Sequence, residues 1–358
     1  MIGGVLLGVS GRALAEFPSV VEWHRTEFFP RIASVLQALS RGLTFPIGEV
    51  AWTIVALLGL GSLVKFGSRA VAPLVFATGL ILVCFYATWG LAYRYQPLST
   101  KLAALPAATD EGASHATLRD LARRSGRLVA KASEAAPDWG DDDASVLKAI
   151  SDALDPGFAN LPPQFEAAPV KGIAFGPAKR SFISPVLSRL LVSGYFSPWS
   201  GEAQIDGEMP KSLWPRVTAH EKAHQRGFAR ENEATAIGVL VCLSSTDPRV
   251  FYGGTLGLFI GFDHELARVD PETRKEIWKA LPKRVVDQLE AESAFWKRHQ
   301  GTASKVSEKV NDTYLKAQGV RSGIESYAEA TRLLLQAIET PTLAIGPLLR
   351  SVEDPARP

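Results

Sequence analysis

The run His220-Glu221-Lys222-Ala223-His224 carries the chain's clearest chemistry. On a helix, residues four apart share a face, so the two imidazoles can converge on one ion. Glu221 sits beside His220, placed to take a proton from a metal-bound water rather than to ligate the metal. Zinc would lower the pKa of that water to about 7, making hydroxide available for attack on an amide carbonyl. The expected cofactor is therefore Zn2+, and the expected catalytic residue is Glu221.

Such a site needs a third protein ligand. In one unbroken helix Glu231 would lie about 10 Å along the axis from His224, at about 1.5 Å per residue, and could not reach the same ion. Gly227 relieves this, because glycine accepts the left-handed conformation that ends a helix and lets the chain turn back. Glu231 then opens a second helix running to Leu243 and points toward the histidines. Glu233 is the runner-up, two residues on and on a different face. The first helix is expected to begin near Trp214 and Pro215, a proline suiting a first turn.

The string from Thr218 to Ala234 resembles the signature of a bacterial membrane family catalogued as domain of unknown function 3810. Two flanking blocks share the likeness: Phe196 to Ala203 upstream, and Asn311 to Lys316 with Gly323 to Tyr327 downstream. The resemblance spans nearly the whole chain and implies a membrane-anchored zinc metallopeptidase acting on a peptide or protein. Glu231-x-x-Ala234 also resembles the helix that supplies the third zinc ligand in HtpX-like gluzincin peptidases. Thr235 stands where those enzymes have Asp or Asn, which puts that residue's support of the ligands in question. In such peptidases an edge strand near the zinc helix pairs with extended substrate, and a similar strand is expected between Gly194 and Ile205.

The elements around the motif give a mainly α fold: N-terminal transmembrane helices, then a mostly helical zincin-like domain with a short β element beside the zinc helix. The chain has 358 residues, and 46% are hydrophobic. That excess is concentrated near the N-terminus. Residues 1–104 read as a membrane region, with spans expected at about 46–64 and 70–93 and a short apolar run, Met1 to Gly11, ahead of them. Residues 105–358 read as the metallopeptidase-like domain. Trp89 and Tyr93 near the end of the second span suggest an interfacial aromatic belt. Lys65 and Arg69 between the spans favour a cytoplasmic loop, which sends the hydrolase domain outside the bacterial inner membrane as part of a multi-pass protein. Cys84 and Cys242 both fall in apolar helices, so no structural disulfide is expected.

Leu105 to Ser114 reads as the juncture between the two regions. Thr117 to Ala135 and Ala144 to Leu154 have helical spacing, whereas recurring prolines and glycines argue against helix from Pro156 to Pro177. Val170 to Phe175 and Ala203 to Ile205 are expected as short strands. Phe251 to Phe262 is too short to span a bilayer and reads as a core helix. His264-Glu265 begins like a second zinc motif, but Arg268 stands where the second histidine belongs. A net charge of +2 and no basic patch with interleaved aromatics argue against nucleic acid. Tyr314 and Tyr327 could each donate to an oxyanion, or equally be buried rings.

Two other classes compete. One is a non-catalytic, zinc-stabilised membrane scaffold or sensor; an intact Glu221 and only three good ligands argue against it, since structural zinc sites close with four. The other is a zinc hydrolase acting on a non-peptide envelope component. Oligomeric state has no signature in the sequence.

Overall fold

The computed structural model describes residues 16–102, 111–317 and 326–338. The Met1 to Gly11 run, residues 105–110 of the expected juncture and the side chain of Tyr327 lie outside that set. Short helix α1 (Pro18–Trp23) and α2 (Phe29–Ser40) precede the apolar stretch, which comprises α3 (Ile47–Phe66) and α4 (Val71–Thr88). Ile47–Thr88 is the one stretch among the described residues long and apolar enough to cross a membrane, and only 11% of its most apolar window is buried. It is interrupted at Gly67, whose φ of 54° ends α3.

Downstream the chain is again mostly helical: α5 (Leu98–Leu102), α6 (Glu111–Ala135), α7 (Asp143–Ala159), α8 (Ser184–Leu190), α9 (Trp214–Gln225), α10 (Glu231–Leu243) and α11 (Pro248–Val269). Then follow α12 (Pro271–Ala280), α13 (Lys283–His299), α14 (Thr302–Ala317) and α15 (Ser326–Ile338). Capping explains several starts. Asp142 accepts the Ser145 N–H before α7, and Asp247 accepts the N–H groups of Arg249 and Val250 before α11.

At the centre α9 packs on α10, with α11 and α15 against α10 and the long α6 against α11. Trp214, Ile237, Leu256, Phe259 and Phe262 fill this core, all essentially inaccessible to water. Burying side chains of that size stabilises by about 1.5–3 kcal/mol each, which anchors the helices that carry the histidines and Glu231. The expected core helix at Phe251 to Phe262 is therefore the middle of α11.

The other flank of α9 is covered by a three-stranded sheet of β1 (Lys179–Arg180), β2 (Gly194–Ser197) and β3 (Glu202–Ile205), ordered β1-β3-β2. β1 runs parallel to β3, and β2 antiparallel to it with Gly194 opposite Ile205 and Ser197 opposite Glu202. β2 is thus an edge strand.

Two local expectations are corrected. Val170 to Phe175 forms turns and irregular chain, not a strand, because Gly172 adopts a φ of 86° and breaks the extension. Helix does extend past Pro156: α7 carries that proline near its end, where Phe158 is buried and the lost N–H costs a single bond.

Candidate metal centre

Helix α9 runs from Trp214 to Gln225, and Gly227 with a φ of 93° turns the chain immediately after it. A β-carbon there would press within 3.2 Å of the Phe29 ring, so both conformation and space call for glycine. Arg230 is extended, and α10 starts at Glu231. The turn swings the first residue of α10 back over the last two turns of α9.

The result is a cluster of His220, His224 and Glu231, each offering one ligand atom, with those atoms all within 4.8 Å of one another. His220 Nε2 lies 3.1 Å from His224 Nε2 and 3.1 Å from Glu231 Oε2, and His224 Nε2 lies 3.8 Å from Glu231 Oε1. The other ring nitrogens are committed elsewhere. His224 Nδ1 donates to the Phe228 carbonyl at 2.5 Å, and His220 Nδ1 meets Thr235 Oγ1 at 3.1 Å. Both rings therefore present Nε2 inward, and for His224 the Nδ1 proton held on the Phe228 carbonyl leaves Nε2 as the ligand atom. Thr235 meets the outer nitrogen of His220 through its hydroxyl.

Burial would lower the pKa of His224, but the adjacent Glu231 carboxylate more than reverses this and raises it to about 9. Burial acts against the Glu231 carboxylate as well, yet the two histidines hold its pKa far below the ordinary range. The cluster thus needs a positive charge at its centre, supplied either by a proton on imidazole or by a cation. The donor set of two imidazoles and a carboxylate fits zinc.

Glu221 is 3% exposed, and its Oε2 has no hydrogen-bond partner among the described residues. Burial pushes its carboxyl up to about 7, partly offset by the two histidines. It abuts the edge strand: a β-carbon at Gly194 would lie 2.9 Å from Glu221 Oε1 and 2.7 Å from the Gln204 carbonyl, so only glycine fits there. Asp206 N–H donates to Ser193 O, which sets the alternation of the ladder. The main-chain groups of Gly194 and Phe196 consequently point away from β3, off the free edge beside Glu221.

Glu233 goes elsewhere. Its Oε1 accepts the Leu98 N–H at 2.8 Å and pairs with Arg230 at 3.3 Å, so it ties α10 to the start of α5. Trp89 and Tyr93, expected as a membrane belt, are each 5% exposed. Trp89 stands edge-on to His224 at 5.8 Å and against Phe196 at 4.7 Å, forming a wall of the site. Helix α4 ends at Thr88, which turns these rings inward. The Tyr314 hydroxyl donates to Tyr93 at 3.2 Å, with its ring against Phe85. His264 is exposed on α11, away from the cluster.

The variable positions of the motif are also committed. Lys222 is wholly buried, donating to the Gly176 carbonyl at 3.0 Å and pairing with Asp155 at 3.1 Å. Burial brings its pKa down to about 8. Arg226 is sandwiched between Phe158 and Phe175, 3.9 and 4.3 Å from the ring centres, and also reaches Asp155 at 2.9 Å. Sequence reading passed over this support, because Asp155 is remote in the chain.

A second buried charged cluster was equally invisible in sequence. Lys179 Nζ meets Glu202 Oε1 at 2.5 Å, and Glu202 also accepts the N–H groups of Ile47 and Gly48 at the start of α3. Next to it Glu49 accepts the Ser181 and Tyr195 hydroxyls and the Phe182 N–H. The apolar helix is thus bolted to the sheet.

The chain belongs to the family described as "Protein of unknown function (DUF3810)", whose model matches residues 24–335. No curated protein and no solved structure matches it.

Proposed function

We propose that the protein is a membrane-anchored, zinc-dependent metallopeptidase of the bacterial inner membrane that hydrolyses peptide bonds. The observation that carries the reading is the meeting of α9 and α10 at one point: His220, His224 and Glu231 within 4.8 Å, with a buried, unbonded Glu221 oxygen alongside. When bound, zinc would polarise the scissile carbonyl and acidify the attacking water. Glu221 takes the water's proton at Oε2 and passes it to the leaving amine. Gly194 and Phe196 hold an extended substrate by main-chain bonds, which give affinity with little side-chain selectivity.

The bilayer is the second partner. The apolar stretch Ile47–Thr88 supports anchoring. A two-pass hairpin is supported by its break at Gly67 and by Gly59, where a β-carbon would lie 3.8 Å from Leu74. Lys65 and Arg69 then lie on the cytoplasmic side, and the hydrolase domain faces outward.

The test uses the full chain in detergent. Elemental analysis should find one zinc per wild-type chain and per Glu233→Ala chain, and none in Glu231→Ala. Glu221→Gln should keep the metal and lose cleavage of a mixed peptide library. A folded wild type that holds no zinc after supplementation would sink the metallopeptidase reading. A zinc-loaded wild type that cleaves nothing would favour the non-catalytic scaffold.

A further inference from the structure

Both ends of the apolar stretch are fixed against β2 and the residues around it: Glu49 accepts the Tyr195 hydroxyl, and Trp89 lies on Phe196. Glu49, in the first turn of α3, receives the Phe182 N–H at 2.8 Å and the Ser181 hydroxyl at 2.5 Å. Trp89, one residue past α4, touches His224 and Phe196. The site therefore lies where the apolar stretch ends.

Two apolar ridges are exposed next to these ends. Phe182, Ile183 and Val186, at the start of α8, are 62%, 45% and 46% exposed. This ridge leaves the chain directly beside the Glu49 lock. Helix α8 packs on α14, where Val306 and Val310 are 58% and 62% exposed, one turn apart. One turn further along α14 Tyr314 rests on Phe85 of the apolar stretch, 6.3 Å between rings. Each ridge is thus joined through named contacts to one end of the stretch, which is itself exposed along its length. Large aliphatic and aromatic groups facing water in this way mark a surface meant to be covered. Arg189, one turn after Val186, is exposed and suits a lipid headgroup.

We infer that the Phe182–Ile183–Val186 and Val306–Val310 ridges sit in the interfacial layer of the same bilayer that holds α3 and α4, so that the His220–His224–Glu231 cluster lies close to the lipid surface. Taken with the peptidase reading, on which this last step rests, the substrate class is polypeptide emerging from the membrane, and segments held close to lipid reach the edge strand β2 first.

The test is independent of zinc and of activity. Full-length protein carrying Cys84→Ser is reconstituted in phosphatidylethanolamine–phosphatidylglycerol vesicles; the remaining Cys242 is inaccessible to label. Nitroxides are placed by Phe182→Cys, Val310→Cys, Leu58→Cys in the apolar stretch and Lys283→Cys on an 86% exposed side chain. Oxygen should relax the labels at 182, 310 and 58 more strongly than a water-soluble nickel chelate does, and the order should reverse at 283. Labels at 182 and 310 behaving like 283 while 58 stays in lipid would overturn the inference and leave the membrane anchor standing. Aqueous behaviour at 58 would overturn both. For the substrate class, Phe182→Asp should lower cleavage of a vesicle-tethered peptide at least tenfold and leave the same soluble peptide unchanged; equal loss on both would overturn that step.

Discussion

Two buried charged clusters lie on opposite sides of β2, and they are built on opposite principles. Around Glu202 and Glu49 the carboxylates meet donors: the Lys179 ammonium, two backbone N–H groups at the start of α3, a third at Phe182, and two hydroxyls. Around Glu231 the inward-facing atoms are imidazole nitrogens and carboxylate oxygens, and Glu221 keeps an oxygen with no donor among the described residues. A buried polar group left unmet costs about 1–3 kcal/mol, so the first arrangement holds the fold and the second holds it back. Satisfaction of the groups, more than burial or charge, separates a fastening from a cluster left open to a ligand.

The sharpest way to break this contrast is Glu221→Gln. On the proposed peptidase reading, in which Glu221 is the base, this change should cut peptide hydrolysis about 10²–10⁴-fold with zinc content and melting temperature unchanged. A large loss of stability instead would place Glu221 with the fastening groups. On the other side of the strand, Lys179→Met strands the buried Glu202 carboxylate and should destabilise by about 3–5 kcal/mol, read from thermal unfolding in detergent. Replacing both partners should recover part of that, but not all, because Ile47 and Gly48 lose their acceptor. A neutral Lys179→Met would deny that the junction fastens anything.

Thr235→Val removes the hydroxyl that orients His220 and should weaken zinc binding about 10–100-fold in a chelator competition, with little change in stability. The smallest effect concerns a partly buried control away from both clusters, the Asp270 cap of α12. It accepts the Thr273 N–H and pairs with Arg119, and these contacts bring its pKa down to about 2. A depressed folded pKa contributes stability above the unfolded value near 3.9 and loses it as pH falls toward 2. Asp270→Asn should therefore melt below wild type at pH 6 and converge with it near pH 2; parallel curves would contradict the cap.

What could be read from sequence divides along the range of the forces involved. The bounds of α9, the turn at Gly227 and the start of α10 at Glu231 are set by neighbours within a few residues, and so is the meeting of His220, His224 and Glu231. Choosing Glu231 over Glu233 was legible for the same reason, since two residues change the helix face. The Lys179–Glu202 bolt joins β1 to β3 and both to α3, more than a hundred residues upstream, and no local pattern announces it. Trp89 and Tyr93 misled because an aromatic residue at the end of an apolar run looks the same whether it faces lipid or folds back over a histidine. The edge position of β2 depends on strand order, which a four-residue segment cannot encode.

One consequence concerns portability. The motif is usually written with its middle positions blank, yet here Lys222 is sealed from water against Asp155 and Gly176, and Arg226 stacks between two phenylalanines over the same carboxylate. Grafting His220 to His224 onto a foreign helix would import a cation without its counterion. The smallest transplantable unit is α9 together with the end of α7 and the loop bearing Phe175, a non-contiguous cassette rather than a five-residue word.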